Sequence, residues 1–102
     1  MKIENPHHFF YACNGYILEN LDDLVVLLRD CDDGTFFYHA NEHKNDFANW
    51  TRDIIQDNTL AKALFKKKSK KDMMKLVYDR VKKKKKNKTA VISELKGAMS
   101  HG

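Results

Sequence analysis

His39 and His43 stand one helical turn apart, the i, i+4 spacing that can bring two imidazoles onto one metal ion. Glu42 and Asp46 could complete such a site. The pattern has no HExxH glutamate and no third ligand at a fixed spacing, so no metal site is assigned. His39 is expected instead to be a buried, hydrogen-bonded histidine within an aromatic cluster, with Asp46 as its partner; His43 is expected to be exposed. Cys13 and Cys31 are the only thiols, and with His39 they offer in principle a thiol–imidazole pair. No Gly-rich nucleophile turn accompanies them, so both are expected to be buried structural thiols. They make neither a CxxC nor a zinc-finger spacing, and a reducing cytosol with both thiols free is the expectation. The glycines fall at 15, 34, 97 and 102, with no GxGxxG or GxxxxGK[ST] arrangement to cradle phosphates. The chain is therefore expected to have no catalytic residue, no cofactor and no enzymatic activity.

The strongest chemical signal is a block of charge. Residues 1–65 hold five Lys/Arg against eleven Asp/Glu, net −6. Residues 66–88 hold thirteen Lys/Arg against Asp72 and Asp79, net +11, and the remaining residues balance. The whole chain carries +5, a value that hides an acidic body with a basic C-terminal arm. Like charges repel, and such a block persists most readily where a counter-charged surface awaits it. The candidate nucleic-acid-binding residues are Lys66, Lys67, Lys68, Lys70, Lys71, Lys75, Arg80, Lys82, Lys83, Lys84, Lys85, Lys86 and Lys88. Lysine acts as a point charge where arginine forms a bidentate fork. Tyr78 is the only aromatic in this stretch, and no Arg/Asn/Gln cluster suits base edges. The composition predicts contact with the phosphate backbone of DNA or RNA, in chromatin or the ribosome, with no sequence preference.

An alternative is a protein-interaction or self-association module. Val91, Ile92, Leu95 and Met99 form a weak amphipathic stripe that could seat a second copy. No Trp/Phe face accompanies the lysines, so a membrane surface is not expected. The longest apolar run, Leu24–Leu28, is too short to span a bilayer, and MKIENPHH has no apolar core of a signal peptide. The cytoplasm is the expected location.

The elements that must position these residues follow from spacing. The aromatic stretch His8–Cys13, Asn14-Gly15 and then Tyr16-Ile17-Leu18 read as a short β-hairpin. Asn20 caps a first helix with Leu21, Leu24, Val25 and Leu28 on one face, widened by Val26 and Leu27. Asp32 opens a second, with Phe36, Phe37 and Ala40 together. Asn45 or Asp46 opens a third, on which Phe47, Trp50, Thr51, Ile54 and Ile55 share a face. Asp57 or Asn58 caps a fourth with Leu60, Ala61 and Leu64 inward. Ser69-x-x-Asp72 opens a fifth, striped by Met73, Met74, Val77, Tyr78 and Val81. The five-lysine run Lys82–Lys86 has no apolar residue to bury and is expected to fray. The predicted core is Phe10, Ile17, Leu21, Leu24, Val25, Leu28, Phe36, Phe47, Trp50, Ile54, Leu60, Leu64 and Val77. The fold class is mainly α: about five helices, a short N-terminal hairpin and a Lys-rich arm. A helical domain spans 1–81, followed by a basic segment and weak helix at 82–102.

A longer ordered pattern runs through the centre. Phe36-Phe37-Tyr38-His39, Lys44-Asn45-Asp46-Phe47-Ala48-Asn49-Trp50, Asp53-Ile54-Ile55 and Leu60-Ala61 follow Phe10-Tyr11-x-Cys13-x-Gly15 and Leu21-x-x-Leu24. Together they resemble a small prokaryotic domain family, common in archaea and of unknown function. The resemblance covers residues 8–81. It implies a compact, mainly helical domain in a prokaryotic cytoplasm and assigns no chemistry. Residues 82–102 lie outside it.

Overall fold

Each of the first four helices begins at a side-chain oxygen that the sequence places there. The computed structural model describes the backbone of residues 3–95 and the side chains of residues 3–83. A 3-10 turn at Pro6–His8 leads into β1 (Phe10–Tyr11) and β2 (Ile17–Leu18). Then come α1 (Leu21–Asp30), α2 (Asp33–His39), α3 (Asp46–Trp50), α4 (Asn58–Lys66) and α5 (Lys70–Leu95). Asn20, Asp32, Asn45 and Asp57 accept from the backbone N–H three residues on and so cap α1 to α4. Ser69 Oγ likewise accepts from the Asp72 N–H at the head of α5. The mainly helical fold with an N-terminal hairpin matches the sequence reading.

The hairpin corrects one core assignment. Phe10 pairs with Leu18 and Tyr11 with Ile17. Side chains alternate along a strand, so Phe10 and Leu18 share the buried face while Tyr11 and Ile17 face outward. Leu18 is fully buried and Ile17 is 44% exposed. Tyr-Ile-Leu is apolar throughout, which leaves no alternation to reveal the face. The turn is also wider than an Asn-Gly pair. Ala12 N–H donates to Tyr16 O at 2.9 Å, Gly15 N–H donates back to Ala12 O at 2.9 Å, and only Gly15 takes a positive φ, at 93°.

The core is an aromatic stack beside a helix pair. Phe47 lies between Phe10 (centroids 5.4 Å, interplanar 23°) and Phe36 (6.1 Å, 18°), with Trp50 edge-on to Phe10 at 5.8 Å. Such pairs add about 0.5–1.5 kcal/mol beyond the area they bury. Trp50 Nε1 donates to His8 O at 2.9 Å, which ties the N-terminal segment to α3. α1 supplies Leu21, Leu24, Leu27 and Leu28 and packs most extensively on α5, which supplies Met73 and Val77. Phe37 was expected inward with Phe36 but is 53% exposed, because one residue along α2 turns it to the outer side.

After Trp50 the helix widens into a π turn, Thr51–Ile55, closed by Gln56 in the left-handed region at φ 64°. A π turn rotates less per residue, so the inward position slips from Ile54 to Ile55. Ile54 is half-buried and Ile55 buried. Val25, on the flank of α1, is half-buried too. Thr51 is fully buried, and its hydroxyl is satisfied by donating to Phe47 O at 2.8 Å.

α5 departs most from expectation. It runs unbroken through Lys82–Lys86 to Leu95. Packing of Met73 and Val77 supplies the nucleus, after which each added residue gains one backbone hydrogen bond. Lysine is itself a good helix former. At 26 residues α5 is about 39 Å long, whereas the ten residues of α1 reach about 15 Å. α1 can therefore cover only the first half of α5. The radius of gyration, 15.3 Å, exceeds the about 13 Å of a round domain this size.

Candidate nucleic-acid interface

Lysines that serve the fold must be separated from those free to meet a partner. Lys70 and Arg80 serve the fold. Lys70 Nζ donates to Cys31 O at the C-terminal end of α1 and lies 3.7 Å from Asp33 Oδ1. A cation there complements the negative end of the helix. Arg80 Nε lies 3.2 Å from Asp57 Oδ2, and both side chains are largely buried, 28% and 12% exposed. Asp57 also caps α4 through Leu60 N–H, so this one carboxylate joins the head of α4 to α5.

Lys66, Lys67, Lys68, Lys71, Lys75, Lys82 and Lys83 are exposed and make no ion pair among the described residues. Lys82 Nζ sits 5.9 Å from the centre of the Tyr78 ring. Lys84, Lys85, Lys86 and Lys88 lie on the helical backbone of α5, and their side chains fall outside the described residues. So do those of Val91, Ile92 and Leu95; Met99 lies beyond the described backbone.

The fold adds residues that the linear block does not contain. The 41–44 loop is closed by a bridge between Ala40 and Asn45 and by Asn41 N–H donating to Lys44 O at 2.8 Å. Asn41 Oδ1 accepts from the His43 and Lys44 N–H groups, and its amide donates to Phe37 O. Asn45 is buried; it caps α3 through Ala48 N–H and donates to Leu64 O at 3.1 Å, which fixes the loop against the end of α4. Between loop and α4–α5 junction opens a groove of about 480 Å³, with Ala40 and Met73 at its apolar floor. Its walls carry Glu42, His43, Lys44, Phe65, Lys67 and Lys68. Phe65 is 45% exposed. One signal could have marked it: Phe65 is an aromatic off the Leu60, Ala61, Leu64 stripe and directly before three lysines.

The histidine pair is not brought together as a ligand set. His39 is 6% exposed in its side chain; Nδ1 lies 2.9 Å from Asp46 Oδ2, which also pairs with Lys44 Nζ at 3.1 Å. Nε2 lies 3.0 Å from the Cys13 backbone nitrogen. A backbone N–H can only donate, so Nε2 is the bare acceptor and Nδ1 carries the proton to Asp46. The expected His39–Asp46 partnership is present, and His43 is exposed. Among the described residues no three His/Cys/Asp/Glu side chains gather as metal ligands. With the Nε2 lone pair occupied by a main-chain donor, His39 has no free base to offer the Cys13 thiol.

The thiols differ from expectation in one respect. Both are free, but Cys13 is exposed while Cys31 is buried. Burial pushes the Cys31 thiol above its ordinary value, opposed in part by the Lys70 charge. The Asp32 carboxyl is held below its ordinary value, chiefly by the Thr35 N–H that it caps. Among the described residues no helix is long and apolar enough to cross a membrane. Comparison with family models, curated proteins and solved structures yields no match to this chain.

Proposed function

We propose that this protein binds nucleic acid through phosphate-backbone contacts made by Lys66–Lys68 and the lysines of α5, without sequence preference and without catalysing a reaction. The observation that carries the reading is the separation of cations. Lys70 and Arg80 are engaged by the body, whereas Lys66–Lys68, Lys71, Lys75, Lys82 and Lys83 are exposed without ion-pair partners among the described residues. A protein holds point charges clear of its own carboxylates at a cost in self-repulsion, and a polyanion offsets that cost by releasing its condensed counterions. The occupied lone pair of His39 fits a binding protein better than a thiol enzyme. The cytoplasm of a prokaryotic cell, with the chromosome and the ribosome as targets, is the setting this reading implies.

A salt-dependent titration tests it. Affinity for a 20-mer should fall linearly on a log–log plot against salt, with a slope of about −0.9 per phosphate contacted on duplex DNA. Replacing Lys82–Lys86 by Gln should flatten the slope by up to ~4.5 units. Lys75→Gln should lower affinity with no loss of stability, whereas Arg80→Gln should lower stability first. Binding that is insensitive to salt, or unaltered by the five-Gln variant, would overturn the proposal.

A further inference from the structure

The groove between the 41–44 loop and the α4–α5 junction has a composition that the lysine block lacks. It is lined by a half-exposed aromatic ring, Phe65, with the Arg52 guanidinium 5.8 Å from its centre, and by Lys67 and Lys68; Lys44 lines it too, with its ammonium already held by Asp46 at 3.1 Å. At about 480 Å³ it falls within the 300–1,000 Å³ typical of small-ligand pockets. Single-stranded nucleic acid is held by this pairing: a cationic track for the backbone and an aromatic face on which an unpaired base stacks. A duplex cannot use it, since its bases are already stacked on each other.

We infer that the groove seats an unpaired nucleotide, with the base against Phe65 and its flanking phosphates at Lys67 and Lys68, so that the protein prefers single strands to duplex. This rests on the nucleic-acid reading above and narrows it to a strand class. The orientation follows from charge. Glu42 repels phosphate and accepts hydrogen bonds, so its wall faces the donor groups of a base edge and the backbone lies on the lysine side. Asn41 and Asn45 do not compete for the base, because the Asn41 side chain holds the loop and that of Asn45 holds α3 and α4. The loop is thereby shaped before a ligand arrives, which lowers the ordering cost of binding. Phe65 is the residue whose removal separates stacking from charge.

The test measures binding of a labelled oligo(dT) or oligo(U) 20-mer and of a blunt duplex of equal length, at one fixed ionic strength. Wild type should favour the single strand. Phe65→Ala should weaken single-strand binding about 5- to 150-fold, the range for losing one stacked base, while leaving duplex binding and the salt slope unchanged. Phe65→Trp should retain the preference. Phe65 is half-exposed, so an unchanged melting temperature serves as the folding control. If wild type binds both strand classes equally, or Phe65→Ala binds single strands as wild type does, the groove inference fails while the lysine reading stands. If wild type binds neither, both fail.

Discussion

The clamp formed by Asp46, His39 and Cys13 can be taken apart one bond at a time. His39 Nδ1–H donates to Asp46 at 2.9 Å, and Nε2 accepts from Cys13 N–H at 3.0 Å, across 26 residues of sequence. The ring also packs edge-on to Phe10 at 5.0 Å and lies 5.5 Å from Phe47. His39→Phe keeps the ring and removes both bonds. Loss of a hydrogen bond to a charged group costs about 1.5–3 kcal/mol, and an orphaned partly buried donor about 1–3 kcal/mol. Relief of the ordering that the second bond imposes on the hairpin turn offsets part of this, so His39→Phe should cost about 2–4 kcal/mol. His39→Asn restores a donor near the Nδ1 position and His39→Gln an acceptor near the Nε2 position; each should recover about 1 kcal/mol. Urea unfolding followed by the fluorescence of Trp50, the single tryptophan and 7% exposed, measures all three. A cost below about 0.5 kcal/mol for His39→Phe would mean that the stack alone holds the hairpin, and would refute the clamp.

Three further outcomes follow from the geometry. Iodoacetamide should modify Cys13 rapidly in the native protein and Cys31 only on unfolding. Because burial raises the Cys31 thiol, the unfolded chain ionises first as pH rises through 9.0, and it then holds fewer protons than the folded one. Stability should therefore fall with pH above that point, and Cys31→Ala should lack this component of the decline in a series of melts. Gln56 holds a left-handed φ of 64° that glycine adopts freely, so Gln56→Gly should stabilise the fold by up to ~1 kcal/mol in the same urea assay. A destabilised variant would show that the Gln56 side chain makes up for its backbone conformation.

The caps were legible because they are local chemistry: Asn20, Asp32, Asn45 and Asp57 each need only a backbone N–H three residues away. The His39–Asp46 pair was legible for a related reason. A histidine among aromatics needs a polar partner, and Asp46 is the near one. What escaped the sequence depends on tertiary placement. Ile17 and Leu18 differ only in which side of a two-residue strand faces the stack. The spacing puts Ile54 and Ile55 on one face with Ile54 in the core, yet Ile55 is the more buried, because a π turn alters the helical phase in a way that a fixed period of 3.6 does not anticipate. The groove escaped for the same reason, since Phe65 and Lys67 meet Glu42–Lys44 only once Asn45 has pinned the loop to Leu64.

The continuity of α5 changes what the lysine run can do. A frayed run would order only on binding, and its affinity would be reduced by that ordering. A helix already propagated from Met73 and Val77 needs no such step. Duplex DNA carries one phosphate charge per about 1.7 Å of axis, whereas α5 carries a net charge roughly every 5–6 Å, so the helix can meet phosphates without reading sequence but neutralises only a fraction of those along its length. Charge alone gives no means of telling one strand class from another. On the nucleic-acid reading, discrimination has to come from a feature that charge does not share, and we assign it to the half-exposed ring of Phe65 in the groove at the junction with α4.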